Sequence, residues 1–281
     1  MPKVSIIIPA FNAAAFAPRA IESIMAQSWT DWELLVVDDG STDNTLDVLA
    51  TYGSALRALS QANAGPASAR NLGLAQATGE YVAFLDADDW WESGKLAEQV
   101  ALLDANPEVG FCSTGTRVVD ATGSTVGDWP CQASFVPLPD ALFMNGALIS
   151  GSTSGVMARR RLVLEVGGFD SALRGFEDPD LWIRLSACTG YACIPKPLTV
   201  VVRTPGSVSS HLPAMRRATL ASFKKNRALL PAEKRGAYWR AACAGALTDY
   251  AKAAWRAGDR GRAMAWTLES LARSPLGQGR L

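Results

Sequence analysis

Acidic side chains form three tight groups along the chain: Asp38-Asp39, Asp86-Ala87-Asp88-Asp89 and Glu177-Asp178. The first two directly follow the apolar runs Leu34-Leu35-Val36-Val37 and Val82-Ala83-Phe84-Leu85. Carboxylates at such turns serve as helix caps and turn formers, which accounts for Asp43 and, in one reading, for Asp39. Capping does not account for the clustering. Two acidic edges facing one crevice repel each other unless a cation or hydrogen-bond donors lie between them, so the pattern points to a divalent-metal or sugar-nucleotide site. Glu177-Asp178 opens a stretch in which Leu181, Leu185 and Cys188 recur at helical spacing. Carboxylates at a helix start are ordinary partners of its dipole, so a chemical role for this pair needs a second argument.

The elements that must position these groups alternate. A β-branched strand at 4–8 ends at Pro9, and a helix follows on Ala20, Ile21, Ile24 and Met25. Strands at 33–37, 56–59 and 81–85 are then separated by helices from about 43, at 67–77 and at 95–106. Strands separated by helices imply a parallel, helix-covered sheet, and in such sheets ligands collect beyond the carboxyl ends of the strands. After residue 109 the pattern predicts short strands with turns at Gly123, Gly127 and Pro130, a helix near 140–145, a strand around 153–158 and a segment 159–166 closed by Gly167-Gly168. Beyond Pro213 the chain is Ala-rich, with helices predicted at about 214–229, 233–256 and 259–273 and an antiparallel pairing of the last two about Gly258. This tail is expected to dock on the main domain or on a second subunit.

The 281 residues carry 27 basic and 27 acidic side chains, and 48% are hydrophobic, which excludes a disordered chain. The neutrality is a sum of opposites. Residues 1–205 hold 13 basic and 23 acidic groups, a balance of −10, and residues 206–281 hold 14 and 4, a balance of +10. No uncharged apolar stretch reaches the roughly 18–20 residues of a spanning helix, and the run 4–9 is too short for a signal-peptide core. Cys112, Cys131, Cys188, Cys193 and Cys243 are odd in number and lack zinc-type spacing, so reduced packing thiols in a cytoplasmic protein are expected.

Six segments in order resemble family 2, GT-A-type glycosyltransferases: Val4-Ser5-Ile6-Ile7-Ile8-Pro9-Ala10-Phe11-Asn12, Val36-Val37-Asp38-Asp39-Gly40-Ser41, Ala69-Arg70-Asn71-Leu72-Gly73, Phe84-Leu85-Asp86-Ala87-Asp88-Asp89, Gly167-Gly168-Phe169-Asp170 and Glu177-Asp178 with Leu181-Trp182. The resemblance implies an α/β fold with a Rossmann-like, mostly parallel sheet flanked by helices, followed by a small α-helical C-terminal appendage. It implies a domain over 1–210, with a nucleotide-sugar-binding half to about 108 and an acceptor half over 109–210, and a basic helical region over 211–281.

By the same resemblance, the loop at Pro9, Ala10 and Asn12 and the pair Asp38 and Asp39 would hold the base and ribose of a nucleotide-sugar donor, with Asp39 favoured for the base. Pro9 and Asn12 are equally ordinary turn residues. Asp86 would lean to the ribose and Asp88 would bind Mg2+ or Mn2+ on the diphosphate, where hard oxygen ligands suit the ion. Arg70 would hold the donor loop or form a structural ion pair. Asp178 would be the general base that takes the proton of an acceptor hydroxyl in an inverting displacement, and Glu177 would orient the loop or touch the acceptor. Trp182 could stack on an acceptor sugar, although a Trp between Leu181 and Ile183 also fits a core. The family often has a His in the segment that here reads Val202-Arg203-Thr204-Pro205-Gly206-Ser207; this chain has Thr204. Arg203 would then serve the diphosphate, or the metal would rely on Asp88, phosphate and water, and His211 is expected on the surface.

The implied activity is transfer from a UDP-sugar or related donor to a saccharide or lipid-linked acceptor in cell-surface polysaccharide synthesis, with no nucleic-acid partner. The basic tail could rest on an anionic membrane at its inner face or remain a solvated appendage. A sugar-nucleotidyl transferase would want a Gly-rich phosphate loop after the first strand, and Pro9-Ala10-Phe11-Asn12 is not one. A non-catalytic donor-binding scaffold is the other alternative, and the intact Asp86, Asp88 and Asp178 argue against it.

Overall fold

A computed structural model describes residues 1–129, 131, 139–144, 149, 152–203 and 211–274. The first half alternates as the sequence pattern requires, apart from an unexpected short β5 between β4 and α4: β1 (Val4–Ala10), α1 (Ala17–Met25), β2 (Trp32–Asp38), α2 (Thr45–Ala50), β3 (Arg57–Ser60), α3 (Pro66–Gln76), β4 (Tyr81–Phe84), β5 (Trp90–Trp91) and α4 (Lys95–Ala105). The second half comprises β6 (Val109–Asp120), β7 (Thr125–Trp129), α5 (Pro139–Met144), β8 (Met157–Arg159), α6 (Arg160–Glu165), α7 (Glu177–Ser186) and β9 (Gly190–Arg203). Three further helices follow among the described residues: α8 (Leu212–Asn226), α9 (Ala237–Arg256) and α10 (Arg260–Arg273).

One sheet runs in the order β3-β2-β1-β4-β8-β6-β9-β5, with β7 paired to β6. Strands β3, β2, β1 and β4 are mutually parallel, β8 joins β4 and β6 antiparallel, and β6 and β9 are parallel again. Along β1, Ile6 and Ile8 enter the core built with α1 and α4, while Ile7 enters the opposite core with α3, α7, α8 and α9. A strand buried on both faces is why 4–8 reads as continuously apolar. Each such side chain contributes roughly 1.5–3 kcal/mol by leaving water.

The second half differs from the short-strand expectation. β6 has 12 residues and β9 has 14. Their apolar pattern is interrupted by buried Ser113, Thr114 and Thr199, which the pairing itself satisfies: Ser113 bonds the Tyr191 hydroxyl, and Thr114 bonds Thr199 at 2.9 Å. Register shifts on either side of Gly115 interrupt the ladder between these long strands. The strand predicted at 153–158 begins only at Met157, because residues Thr153–Gly155 form a 3-10 turn. The reading of five reduced cysteines is also corrected: Cys131 and Cys193, 62 residues apart, are disulfide-bonded, while Cys112, Cys188 and Cys243 are free. Local spacing carries no trace of a pairing made by approach across the fold.

The C-terminal helices pack on the main body. Asp180 of α7 is fully buried and accepts from Ser222 (2.8 Å), Lys225 (2.8 Å) and Asn226 (2.7 Å) of α8, besides Arg184 of its own helix. Lys225 also pairs with Asp170 at 2.6 Å. Part of the basic tail is therefore neutralised by the acidic body. No helix among the described residues is long and apolar enough to cross a membrane.

Candidate active site

Because β2, β1 and β4 are adjacent and parallel, their carboxyl ends deliver Asp38-Asp39, Pro9–Asn12 and Asp86–Asp89 to one edge of the sheet. At the first corner the chain ties itself together. Asn12 takes a left-handed backbone (φ 49°), which Asn tolerates, and its Oδ1 accepts from the Thr42 amide at 2.8 Å while its own amide donates to the Ser41 hydroxyl. Asp38 is buried and accepts from the Ser41 amide and the Ser60 hydroxyl. Asp39 is buried too and accepts from Gln61 Nε2 (2.6 Å), the Ala64 amide (2.9 Å) and the Gly65 amide (2.8 Å). A carboxylate offers about four acceptor positions, so Asp39 keeps one for a further N–H. Gly40 has φ 75°, and a Cβ there would lie 2.8 Å from the Asn63 nitrogen, so only glycine lets the two loops close. Pro9 is half-buried and Ala10 buried at the end of β1.

The second corner is held by one cation. Arg70, buried on α3, places Nη2 at 2.6 Å from Asp86 Oδ1 and Nη1 at 3.2 Å from Glu177 Oε1 and 3.4 Å from Asp178 Oδ1. Burial alone would weaken its charge, but Asp86, Asp178 and Glu177 outweigh it and raise the guanidinium pKa. Arg70 thus joins the loop after β4 to the start of α7. Asn71, next in the chain, receives the Phe169 amide on Oδ1 and donates from Nδ2 to the Phe169 carbonyl. Gly168 has φ 67°, and a Cβ there would meet Asn71 Oδ1 at 2.6 Å, which explains the glycine. Phe176, immediately before Glu177, holds φ 62°, a conformation costing a bulky residue about 1–3 kcal/mol. Its ring packs edge-on against Phe223 of α8, 5.9 Å between centroids, so the tail braces the turn that presents the acidic pair.

The remaining carboxylates have few partners and crowd one another. Burial, reinforced by Asp86, pushes the Asp88 carboxyl up to about 6, and no cation offsets it. Burial also pushes Asp178 up to about 7; Arg70 opposes this, Glu177 and Asp86 add to it, and the Thr153 hydroxyl acts with Arg70. Asp89 is raised well above the usual range by burial, Asp86 and Asp88, although it accepts from the Ser154 hydroxyl (2.6 Å) and the Val202 amide (3.0 Å). Among the described residues no three His, Cys, Asp or Glu side chains converge as a preformed metal cage. What is present is one partly buried, unneutralised carboxylate, Asp88, beside Asp86. That arrangement suits a hard cation completed by ligand oxygens.

One expected contact lies elsewhere. Trp182 is 4% exposed, stacked on Phe111 at 5.9 Å and edge-on to Phe169 at 6.4 Å, so it is core and does not face the cleft. Arg203 is exposed at the end of β9, next to the Val202 amide that holds Asp89, and its guanidinium stands 6.0 Å from the Trp129 ring. His211 is exposed at the start of α8, and Thr204 lies outside the described residues.

Two contributors were not visible from spacing. Ser154 receives the Asp86 amide on its hydroxyl (3.1 Å) and donates that hydroxyl to Asp89, while its carbonyl accepts from Trp91 Nε1 (2.7 Å). It fixes the acidic loop from a turn 65 residues away. Asp180 reads in sequence as a third acid at a helix start but points into the α7–α8 interface. A run of hydroxyl residues, Ser152-Thr153-Ser154, was the sole signal for the first, and none existed for the second.

Comparison with known proteins gives the family and the fold. The family model described as glycosyl transferase family 2 matches residues 5–167. An uncharacterized glycosyltransferase of Nostoc sp. is 36% identical over 175 residues, covering 60% of this chain and 54% of that protein. The putative teichuronic acid biosynthesis glycosyltransferase TuaG of Bacillus subtilis is 34% identical over 151 residues, 52% of this chain and 57% of its own length. The chain therefore spans about half the length of these curated relatives. Among solved structures, S. aureus TarS 1-349 in complex with UDP-GlcNAc superposes with a TM-score of 0.65 at 18% identity, covering 97% of this chain and 92% of that one. The mannosyltransferase PcManGT of Pyrobaculum calidifontis, in complex with GDP-Man and Mn2+, superposes with a TM-score of 0.63 at 24% identity, covering 96% and 80%. At these identities the likeness is one of fold.

Proposed function

The chain belongs to glycosyl transferase family 2 and has a GT-A-type α/β fold, and on that premise we propose that it is a metal-dependent, inverting glycosyltransferase. It moves a sugar from a nucleoside-diphosphate donor, a UDP-sugar in the favoured case, to a hydroxyl of a saccharide or lipid-linked acceptor in polysaccharide synthesis. The observation that carries this reading is the Arg70 junction, which brings Asp86 of the donor-side loop and Glu177-Asp178 of the acceptor side onto one guanidinium. The donors named with TarS and PcManGT support the donor class, and TuaG supports the kind of product.

Each residue then has a task. Asp39 and the loop it organises receive the base, and Asp86, oriented by Arg70, receives the ribose. Asp178, poised near neutrality, accepts the proton of the acceptor hydroxyl as that oxygen bonds to the anomeric carbon. The bond to the diphosphate breaks on the opposite face, so the centre inverts and the nucleoside diphosphate leaves with the electron pair. Arg70 keeps its charge and stabilises Asp178 in the anionic form needed for the next turnover. Asp88 would hold Mg2+ or Mn2+ with donor oxygens, and that ion would supply positive charge to the departing diphosphate. Arg203, next to the residue whose amide holds Asp89, would add to that charge. The basic C-terminal helices would bring the chain to an anionic membrane.

A donor panel scored for nucleoside-diphosphate release, with and without Mn2+ and acceptor, tests the reading. Metal-dependent release from one donor is expected. Formation of a nucleoside triphosphate and a sugar 1-phosphate when inorganic diphosphate is supplied would indicate a nucleotidyl transferase, and donor binding without turnover would indicate a scaffold.

A further inference from the structure

We propose that the α9–α10 hairpin is a lipid-docking element that seats on an anionic bilayer surface. An apolar groove of about 430 Å³ opens between the two helices, lined in part by Trp255, Met264 and Leu268. These side chains are 61%, 69% and 61% exposed, and Leu271 continues their line along α10. They are not a misplaced core. The hairpin buries a different stripe, with Ala263, Trp266 and Ser270 of α10 facing inward and Ala251 and Ala254 of α9 opposite. A second, outward apolar stripe on a helix that already has a buried one marks an interaction surface.

The charge around the groove identifies its occupant. Lys252 and Arg256 line the groove itself, and the Arg260 guanidinium stands 5.3 Å from the Trp255 ring. The hairpin, residues 237–273, carries 6 basic and 3 acidic side chains, with Lys252 paired to Asp249 at 3.3 Å and a balance of +3 remaining. A second copy meeting this face through its own equivalent would press two positive surfaces together. An anionic bilayer satisfies both properties at once: Trp, Met and Leu enter the interfacial layer while Lys and Arg meet the headgroups. Seated in this way, the hairpin would hold the cleft near an acceptor carried in the membrane. The inference deepens the membrane contact of the proposed function, and it shares no residue with the Arg70 junction.

Co-sedimentation of the full chain with vesicles of phosphatidylcholine, alone or with about 30% phosphatidylglycerol, tests it. Partition into the anionic vesicles is expected to exceed the neutral by at least about tenfold, each basic residue near the surface being worth about fivefold. The pair Lys252→Glu with Arg256→Glu and the pair Trp255→Ala with Met264→Ser should each lose at least about tenfold in partition. All four positions are solvent-facing, and the charge pair leaves the apolar packing intact, so it decides the matter if the apolar pair lowers the melting temperature. Nucleoside-diphosphate release in solution should be unchanged in both variants. Equal partition into neutral and anionic vesicles, or none, or insensitivity to both pairs, would overturn the proposal. So would a dimer that Met264→Ser dissociates and that does not bind vesicles. Vesicle partition and nucleotide release are separate readouts, so either reading can fail alone.

Discussion

The two acidic corners of the cleft are built in opposite ways. At Asp38-Asp39 the protein engages all but one of the Asp39 acceptor positions, through amides at Ala64 and Gly65 and the Gln61 side chain, and holds Asp38 through the Ser41 amide. At Asp86-Asp88 and Glu177-Asp178, four carboxylates share the single cation Arg70 or do without one. The first corner shapes a loop before any ligand arrives. The second retains uncompensated charge, which costs the free protein stability and which, in the proposed function, would receive a cation and a transferred proton. Aspartates of equal appearance in sequence thus do different work according to whether the backbone has already answered them.

Changes at the second corner should have the largest effects. Asp178→Asn is expected to lower turnover by roughly a thousandfold with donor binding retained, since a positioned base contributes about 10²–10⁴. Single-turnover kinetics beside donor titration would check this, and near wild-type transfer would remove Asp178 from its role. Arg70→Ala leaves Asp86, Glu177 and Asp178 without their cation and should cost about 3–5 kcal/mol in urea unfolding. A loss confined to activity would mean that the junction is not what holds the corner together.

The contrast itself is tested by a pair of variants. Asp39→Ala should destabilise the fold by about 1–3 kcal/mol, because two amides and Gln61 lose a charged acceptor. Asp88→Ala in metal-free protein should leave stability unchanged or raise it, because a crowded, unpartnered charge is removed, and it should abolish stabilisation by Mn2+. The same sign for both would erase the distinction. Ser154→Ala, which frees Asp89 and the Asp86 amide, should cost about 1–3 kcal/mol and weaken the apparent Mn2+ affinity in the same melts.

The smallest effect is a trend with pH. In the folded, metal-free protein Asp88 and Asp178 hold their protons to about 6 and about 7, whereas in the unfolded chain both lose them near 3.8. Between these limits the folded state binds more protons, so stability should fall as pH rises from about 4 to 7. Mn2+ should flatten the Asp88 part of that slope, and kcat/KM should rise through about pH 7 as Asp178 ionises. Thermal melts across pH with and without Mn2+ would show whether the slope belongs to this corner.

The parallel half was legible in the sequence because a strand buried on both faces must be continuously apolar, and the turn after it must be polar. Val4–Ala10, Trp32–Asp38 and the residues that follow them obey that rule. The second half obeyed it less: β6 and β9 bury hydroxyls that satisfy one another across the ladder, and a polar residue with a distant partner looks like a loop. Trp182 lies within a motif read as acceptor-facing, yet a helix turns its neighbours to different sides, and this ring faces the core.

Composition, order and local pattern were enough for the α/β class, the three acidic groups, the family resemblance and the opposed charges of body and tail, because each depends on a residue and its near neighbours. Which carboxylates the backbone would occupy, that Arg70 would join segments more than a hundred residues apart, that Cys131 would meet Cys193, and that α8 would lock onto Asp180 depended on tertiary folding. Those facts are distances between parts of the chain that are remote in sequence, and electrostatic roles follow distance and burial. The side chains named in the motifs were knowable in advance, and their protonation, partners and exposure were set only when the chain closed around them.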